Sequence, residues 1–386
     1  LINMTDESVL AKGNCERIGL EGSFITHKLP DGRSKRIEVP MPNHTVAFLQ
    51  VKNMLLDEEL GVIKNLEEVS AVGHRIVQGG SLFSKSVLID EKVIEGIESL
   101  IPLAPLHNKA HVQGIRACIE VFGDNVPEVA VFDTAFHSTM PPKAYMFPIP
   151  YEYYEKYKIR RYGFHGTSHR YVSARCAEMM GRDIKGTKII TCHLGNGSSI
   201  SAVKDGKCID TSMGFTPLAG VMMGTRSGDV DPSVMPYLCK KLNKTADEVL
   251  EIYNKKSGML GISGISSDSR DIENALFNEG NERALLTGLL YARIVSKYIG
   301  QYYAELGGCD AICFTAGVGE NAAYLRRLII DNVSRAFGVF LDEELNSIRS
   351  DENRVISHQY SQIKVMVIPT NEEVMIARDT VRLLDL

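Results

Sequence analysis

Tryptophan is absent from the 386 residues, and no two cysteines form a Cys-x-x-Cys pair. The eight cysteines (Cys15, Cys118, Cys176, Cys192, Cys208, Cys239, Cys309 and Cys313) are scattered, several inside apolar runs. That pattern offers neither a redox pair nor a zinc ribbon. It reads as reduced cysteines acting as small hydrophobes in a core. No stretch of 18 or more apolar residues occurs, so no transmembrane helix is expected. Asn3, Thr5, Asp6, Glu7 and Ser8 interrupt any apolar core of a signal peptide, and a cytoplasmic location is expected. The net charge of −5 includes no polybasic surface, which argues against nucleic acid or anionic membrane as a partner. Two common phosphate devices are missing as well. No G-x-x-x-x-G-K-[ST] loop exists, since Gly186-Thr187-Lys188 lacks the spacing, and there is no G-x-G-x-x-G fingerprint.

What is present is ordinary for a globular protein, with 44% hydrophobic and 24% charged residues over a length that suits two domains. The stretch from Ile189 to Val203 reads as two strands joined at Gly195-Asn196-Gly197, with Ser198 and Ser199 following. A Gly-x-Gly tip tolerates φ > 0 and lets backbone approach a ligand, and consecutive N–H groups in such a turn suit an anion. An ordinary Asn-Gly hairpin reads the same way. A second apolar strand, Asp310 to Thr315, breaks into Gly317-Val318-Gly319 and is followed by helical spacing at Leu325, Leu328, Ile329 and Val333.

Before Phe132, strand and helix patterns alternate: helix from His44 to Leu60, strand from Val69 to Val77, helices from Val93 to Leu100 and Lys109 to Phe122, strand from Pro127 to Phe132. That alternation predicts an α/β domain. From Asp133 onward prolines and tyrosines cluster, marking a boundary. Lys188 to Asp210 then reads as a three-strand meander. Asp247–Tyr253, Ile272–Phe277 and Ala284–Leu306 read as helices, and Ala311–Phe314 with Val365–Ile368 completes a second sheet.

Five strings in order, Val131 to His137, Tyr162 to His169, the Gly195 hairpin, Gly224 to Pro232, and Asp310 to Asn321, closely resemble the acetate kinase family across essentially the whole chain. The resemblance implies an actin-like ATPase fold, α/β, of two duplicated RNase H-like domains with a nucleotide cleft between them. The boundaries expected are 1–132 plus 373–386 for an acyl-substrate domain and 133–372 for a nucleotide domain. It implies reversible transfer of the ATP γ-phosphoryl group to acetate, with Mg²⁺ or alternatively Mn²⁺, in a homodimer. By resemblance Arg75 binds the acyl substrate, while Arg226 and His165 stabilise charge on the transferred phosphoryl oxygens. Val77, Leu106, Phe164 and Pro217 match the pocket for a short methyl group, beside His107. His193, Leu194, Gly195, Asn196 and Gly197, with Asp268, Ser269, Arg270, Gly317, Val318, Gly319, Glu320 and Asn321, match nucleotide contacts, Arg270 stacking on adenine. Glu372 matches a magnesium position.

The residue chemistry agrees with parts of this and leaves others open. Arginine holds carboxylate or phosphate bidentately and is always charged. Asp133 is the family's acid/base residue. Yet a carboxylate acceptor is already ionised at neutral pH and needs no base, so orienting Arg226 or holding the metal shell fits Asp133 equally. Glu372 also suits a helix N-terminus. His165 and His169 stand four apart, a metal spacing on a helix, but Gly163 and Gly166 argue against a helix there, and zinc is discounted. Gln78 stands where the family often has histidine. The family opens with a strand and an Asn-x-Gly-Ser-Ser-Ser-x-Lys loop. Leu1 aligns just after that loop, so a missing first strand, with poor stability and activity, is expected. Competing readings are a propionate or butyrate kinase, a chaperone-type or actin-like ATPase, and a non-catalytic or truncated member.

Overall fold

The computed structural model describes residues 1–105 and 107–386, so the expectation for Leu106 lies outside the described residues. The chain divides into two compact units, Leu1–Ala135 with Glu372–Leu386, and Phe136–Asn371. Asp133 and Glu372 therefore belong to the same unit as Arg75.

In the first unit, strand Val72–Ile76 runs parallel to Glu128–Phe132, and Val87–Leu88 pairs antiparallel on the far side. Every residue of Glu128–Phe132 is buried. Helices Glu91–Ser99 and Asn108–Phe122 contribute Ile94, Ile97, Val112 and Ile115 to the core with Ile76, Ala130 and Phe132. The helix Glu372–Leu384 lies close against the strand Val72–Ile76, because Gly73 has no side chain: an added Cβ would stand 2.4 Å from Ile376 Cγ2. Side chains alternate along a strand and recur each turn along a helix. Arg75 therefore shares the face of Gly73, and Glu372 lies one turn before Ile376. A separate antiparallel sheet holds Lys12–Glu16, Phe24–Lys28 and Ser34–Glu38.

The second unit is built on a six-stranded sheet. Lys207–Thr211, Ser198–Lys204 and Lys188–Leu194 form the meander, Ala311–Thr315 and Lys364–Val367 continue parallel to Lys188–Leu194, and Arg354–Val355 closes the edge antiparallel. The strand Lys188–Leu194 is buried on both faces. Ile190, Cys192 and Leu194 pack toward Tyr291, Val295, Ile299 and Tyr302 of the helix Glu282–Leu306. Ile189, with Val203, Ala311 and Cys313, packs toward Val172 and Cys176 of the helix Gly166–Met179. The alternation then places Thr191 and His193 on this second face, and register adds Ser201 and Ser199 opposite them. The face is thus apolar at one end and polar toward the hairpin tip.

Helix limits depart from the sequence reading where local chemistry overrides periodicity. The first helix stops at Leu55, and Asp57 Oδ1 accepts from the N–H groups of Glu59 and Leu60 in a turn. A short 3₁₀ turn, Ile101–Leu103, sits inside the expected loop. A helix does form at Gly166–Met179, against expectation, because His165 takes a left-handed φ of 58° and turns the chain into it. Gly317 and Gly319 lie in a short helix, Ala316–Asn321, not a turn; Ala316, with φ of 64°, makes the reversal instead. All eight cysteines are free, five of them buried. Among the described residues no helix is long and apolar enough to cross a membrane.

Burial pushes the Asp210 carboxyl up to about 7, with Arg161 pulling the other way. A raised carboxyl favours the protonated form in the folded state, so its contribution to stability is present below the ordinary value of 3.8 and lost as pH climbs toward 7. Asp210→Asn should therefore melt higher than the parent at pH 8, and the gap should close as pH falls to 4. Thermal unfolding across that range checks it; a parent curve identical to the variant's would remove Asp210 as the source.

Candidate active site

In the first unit the Arg75 guanidinium is gripped edge-on by Asp133. Nε donates to Oδ1 at 2.9 Å and Nη2 to Oδ2 at 2.7 Å. Asp133, at the end of the buried strand, is 1% exposed, whereas the arginine side chain is 43% exposed. The Asp133 charge raises Arg75 above its usual range despite burial. Two of the five N–H donors are used by this grip, and the remaining fork matches a second carboxylate. Asp133 thus holds Arg75, where orienting Arg226 was one expectation.

Glu372 Oε2 lies 3.5 Å from Arg75 Nε and makes no hydrogen bond. Burial pushes this carboxyl up, and Arg75 opposes the shift. Val77 is buried, and its N–H is received by His111 Nε2 at 3.3 Å. Burial, then the neighbours His107, Arg75 and His74, hold His111 down at about 4, so it stays neutral and can accept. Sequence reasoning missed His111; its signal was the one-turn spacing from His107, which starts the helix Asn108–Phe122. His74 faces away from Arg75 and pairs with buried Glu128 at 2.8 Å. Gln78 is fully buried, and its Oε1 accepts from Gly80 N–H, fixing the turn after the strand.

In the second unit the hairpin tip is close-packed. Neither Gly195 nor Gly197 takes a positive φ, which corrects the reason expected for them. What Gly197 supplies is space: an added Cβ would stand 2.6 Å from Arg226 Nη2 and 3.2 Å from His165 Nε2. The Gly195 N–H is taken by Gly197 O at 3.1 Å, so it is not a free donor for an anion. Asn196 packs on Gly224, whose added Cβ would meet Asn196 Oδ1 at 2.5 Å.

Arg226 Nη1 donates to Pro217 O at 2.7 Å, and burial lowers the arginine from its ordinary value. Its loop is tied down by neighbouring helices: Ser227 N–H donates to Tyr253 O, Ser257 N–H to Thr225 O, and Thr225 Oγ1 to Asn254 O. His165 stacks on His193 with ring centroids 4.1 Å apart. His165 and His169 do not form a metal pair. His169 is fully buried and its two nitrogens meet Thr191 Oγ1 and Ser199 Oγ, each at 2.7 Å. Phe164 is buried and its carbonyl meets His137 Nε2. Val77 and His107 fall in the first unit, Phe164 and Pro217 in the second.

The remaining nucleotide candidates also lie in the second unit. Asp268 caps the helix Ser269–Glu279 and pairs with exposed Arg270. Glu320 Oε1 accepts from Ala316 N–H at 2.7 Å, bracing the left-handed residue. Arg326, 1% exposed, donates to Gly319 O and Glu320 O and so fastens the short helix from beneath. At Gly317 an added Cβ would meet nothing within 4 Å.

A metal fits the first unit's acids. Glu372 offers a buried oxygen without a hydrogen-bond partner, and Asp133 retains lone pairs beyond its bonds to Arg75. An all-oxygen donor pair suits a hard divalent cation.

Groups suited to anions stand in each unit: Arg75 beside its carboxylates in the first, and Arg226 with the stacked His165 and His193 in the second. The acetokinase family model matches residues 1–378. The chain belongs to the acetokinase family. It is 57% identical to an acetate kinase of Caldanaerobacter subterraneus subsp. tengcongensis over 99% of this chain and 95% of that one. Among solved structures, Porphyromonas gingivalis acetate kinase superposes with a TM-score of 0.95 at 47% identity, covering 99% of this chain and 95% of that one. A propionate kinase from Francisella tularensis gives 0.91 at 41%, with the same coverage.

Gly197→Ala should displace Arg226 and His165 together without unfolding the hairpin. Turnover should fall about tenfold or more, with a melting temperature close to the parent's. Undiminished turnover would show that neither side chain needs its place against the tip.

Proposed function

We propose that this protein is an acetate kinase, transferring the γ-phosphoryl group of ATP reversibly to acetate to give acetyl phosphate and ADP. The observation that carries the chemistry is the approach of Arg226 and His165 to the glycine tip, two groups able to present N–H donors and positive charge to a phosphoryl oxygen. Arg226 is held by a neutral carbonyl, so its charge remains available to an incoming anion. Arg75, already balanced by Asp133, uses its remaining fork to place the acetate carboxylate. Acetate needs no deprotonation, so Asp133 acts by holding Arg75, not as a base.

Each unit then has its role: Leu1–Ala135 with Glu372–Leu386 carries the acyl side, and Phe136–Asn371 carries the nucleotide side. Asp133 and Glu372 would hold Mg²⁺, which when bound neutralises charge on the nucleotide phosphates. The Gly317-Val318-Gly319 backbone and Arg270 take the adenosine end, and Asn196 with the hairpin takes the phosphates. A cytoplasmic homodimer completes this reading.

Trapping acyl phosphate as the hydroxamate with acetate, propionate and butyrate tests the assignment. Acetate should give the highest kcat/KM; ATP hydrolysis with no acyl product would sink the proposal, and preference for propionate would replace the substrate. Val77→Ala should move selectivity about tenfold toward propionate, since one methylene in an apolar pocket is worth about 1–3 kcal/mol. A folded variant with unmoved selectivity would make Val77 plain core.

The two arginines should separate kinetically. Arg226→Ala should lower kcat by roughly 10²-fold with little change in KM for ATP. Arg75→Ala should in addition raise KM for acetate, because it binds the ground-state carboxylate. Near-normal kcat in the first, or unchanged acetate KM in the second, would overturn the corresponding role.

A further inference from the structure

The buried polar end of the second unit's sheet holds more hydrogen-bonding machinery than the proposed transfer has used. Ser199 Oγ lies 2.9 Å from His165 Nδ1 and 2.7 Å from His169 Nε2. His169 Nδ1 lies 2.7 Å from Thr191 Oγ1, which in turn reaches Ser201 O at 3.5 Å. Ser199, His169 and Thr191 are each fully buried. From sequence, Ser199 reads only as a hydroxyl following the glycine tip, and His169 only as a metal spacing set aside.

A serine hydroxyl has one proton, so between two imidazole nitrogens it can donate to only one. If it donates to His165 Nδ1, that nitrogen must be bare, and His165 cannot carry protons on both nitrogens. If it donates to His169 Nε2, its lone pairs face His165 and can receive an N–H from Nδ1. The second order needs His169 neutral, with its proton on Nδ1 and Thr191 as acceptor. Burial, reinforced by His137 and His193, holds His169 well below its ordinary value, which keeps it neutral.

We propose that His169 and Ser199 are positioning residues that fix the proton order around His165, so that His165 can be doubly protonated with its Nε2–H aimed past the hairpin tip at a phosphoryl oxygen. The relay runs from His165 Nδ1–H to Ser199, from the Ser199 hydroxyl to His169 Nε2, from His169 Nδ1–H to Thr191, and from the Thr191 hydroxyl to Ser201 O. It rests on the reading that His165 serves the phosphoryl group. The groups around His165 show why help is needed. Arg226 and the N-terminus of the helix Gly166–Met179 both bring positive potential close, and the face of His193 lies against the ring. An acceptor on Nδ1 opposes those influences.

The experiment uses the whole chain labelled with ¹⁵N-histidine, in the parent and in Ser199→Ala, Thr191→Val and His169→Gln. Glutamine keeps a carbonyl oxygen that can accept the Ser199 hydroxyl. In Ser199→Ala the His165 resonances should titrate at lower pH, by about one unit, and the neutral ring should lose its preference for Nδ1–H. The kcat should fall about tenfold or more, with KM for ATP little changed. Thr191→Val, nearly isosteric, should give a smaller shift in the same direction, and His169→Gln should retain more of the parent's titration and turnover than Ser199→Ala. A His165 titration unmoved in both Ser199→Ala and Thr191→Val would overturn the relay, whatever happens to turnover. A shifted titration with parental kcat would uphold the relay and instead overturn the role of His165 in transfer.

Discussion

Positive charge is held differently in the two units of this protein. Arg75 faces a buried carboxylate that takes both its Nε and Nη2 hydrogens. Arg226 faces a backbone carbonyl, and burial draws its proton affinity down. Two unit charges about 4 Å apart interact by about 4 kcal/mol at an effective dielectric constant near 20. A balanced guanidinium is therefore a shaped fork with little spare field, suited to orienting a small carboxylate. An unbalanced one held on a fixed loop keeps its field for an incoming anion. The fold assigns these characters through ordinary means: a strand end beside a buried aspartate for one, and a loop pinned to helices for the other.

Keeping the second kind of site in order requires polar groups inside a hydrophobic layer. The sheet face toward the helix Gly166–Met179 carries Ile189, Val203, Ala311 and Cys313 at one end and Thr191, His193, Ser199 and Ser201 at the other. A buried polar group left without a partner costs about 1–3 kcal/mol. Here hydroxyl and imidazole alternate, so hydrogen bonds join Thr191, His169, Ser199 and His165 in one row and His193, Ser168 and Thr370 in another. The satisfied rows permit the polar end to exist, and they also remove rotamer choice from His165 and His193.

The sheet and helices were largely legible because their signals are local. The alternation of Ile189 to Val203 around Gly-Asn-Gly predicted the hairpin, and the long periodic run before Leu306 predicted its helix. The loop from Tyr162 to His169 was misread as wholly irregular, since glycine weighs against a helix by propensity while His165 alone turns the chain into one. His111, Ser199 and His169 were invisible as a group. Each looks like a single buried residue, and their meaning comes from register: Ser199 lies opposite His193, two places from the pair Ser201 and Thr191. No spacing along the chain encodes that neighbourhood. The Asp133 partner was missed for a similar reason. Residue type fits either arginine, and only the parallel pairing of Val72–Ile76 with Glu128–Phe132 brings Arg75 beside it.

Glycines show the same limit from the other side. Gly73, Gly197 and Gly317 look alike as letters. At Gly73 the packing of Ile376 forbids a side chain, so the demand is purely architectural. At Gly197 the obstruction is the far end of Arg226 and the ring of His165, two groups whose placement has its own use. At Gly317 nothing beyond its chain neighbours and its own helix backbone stands within 4 Å of where a Cβ would sit among the described residues, and the residue has no positive φ to excuse it. Neither packing nor backbone conformation explains that glycine. What remains is the short helix it belongs to, where glycine is a poor choice by about 1 kcal/mol against alanine. Arg326 and Glu320 hold that helix in place regardless. A helix built from unfavourable residues and then fastened by a buried arginine is one whose surface, not its stability, sets its composition.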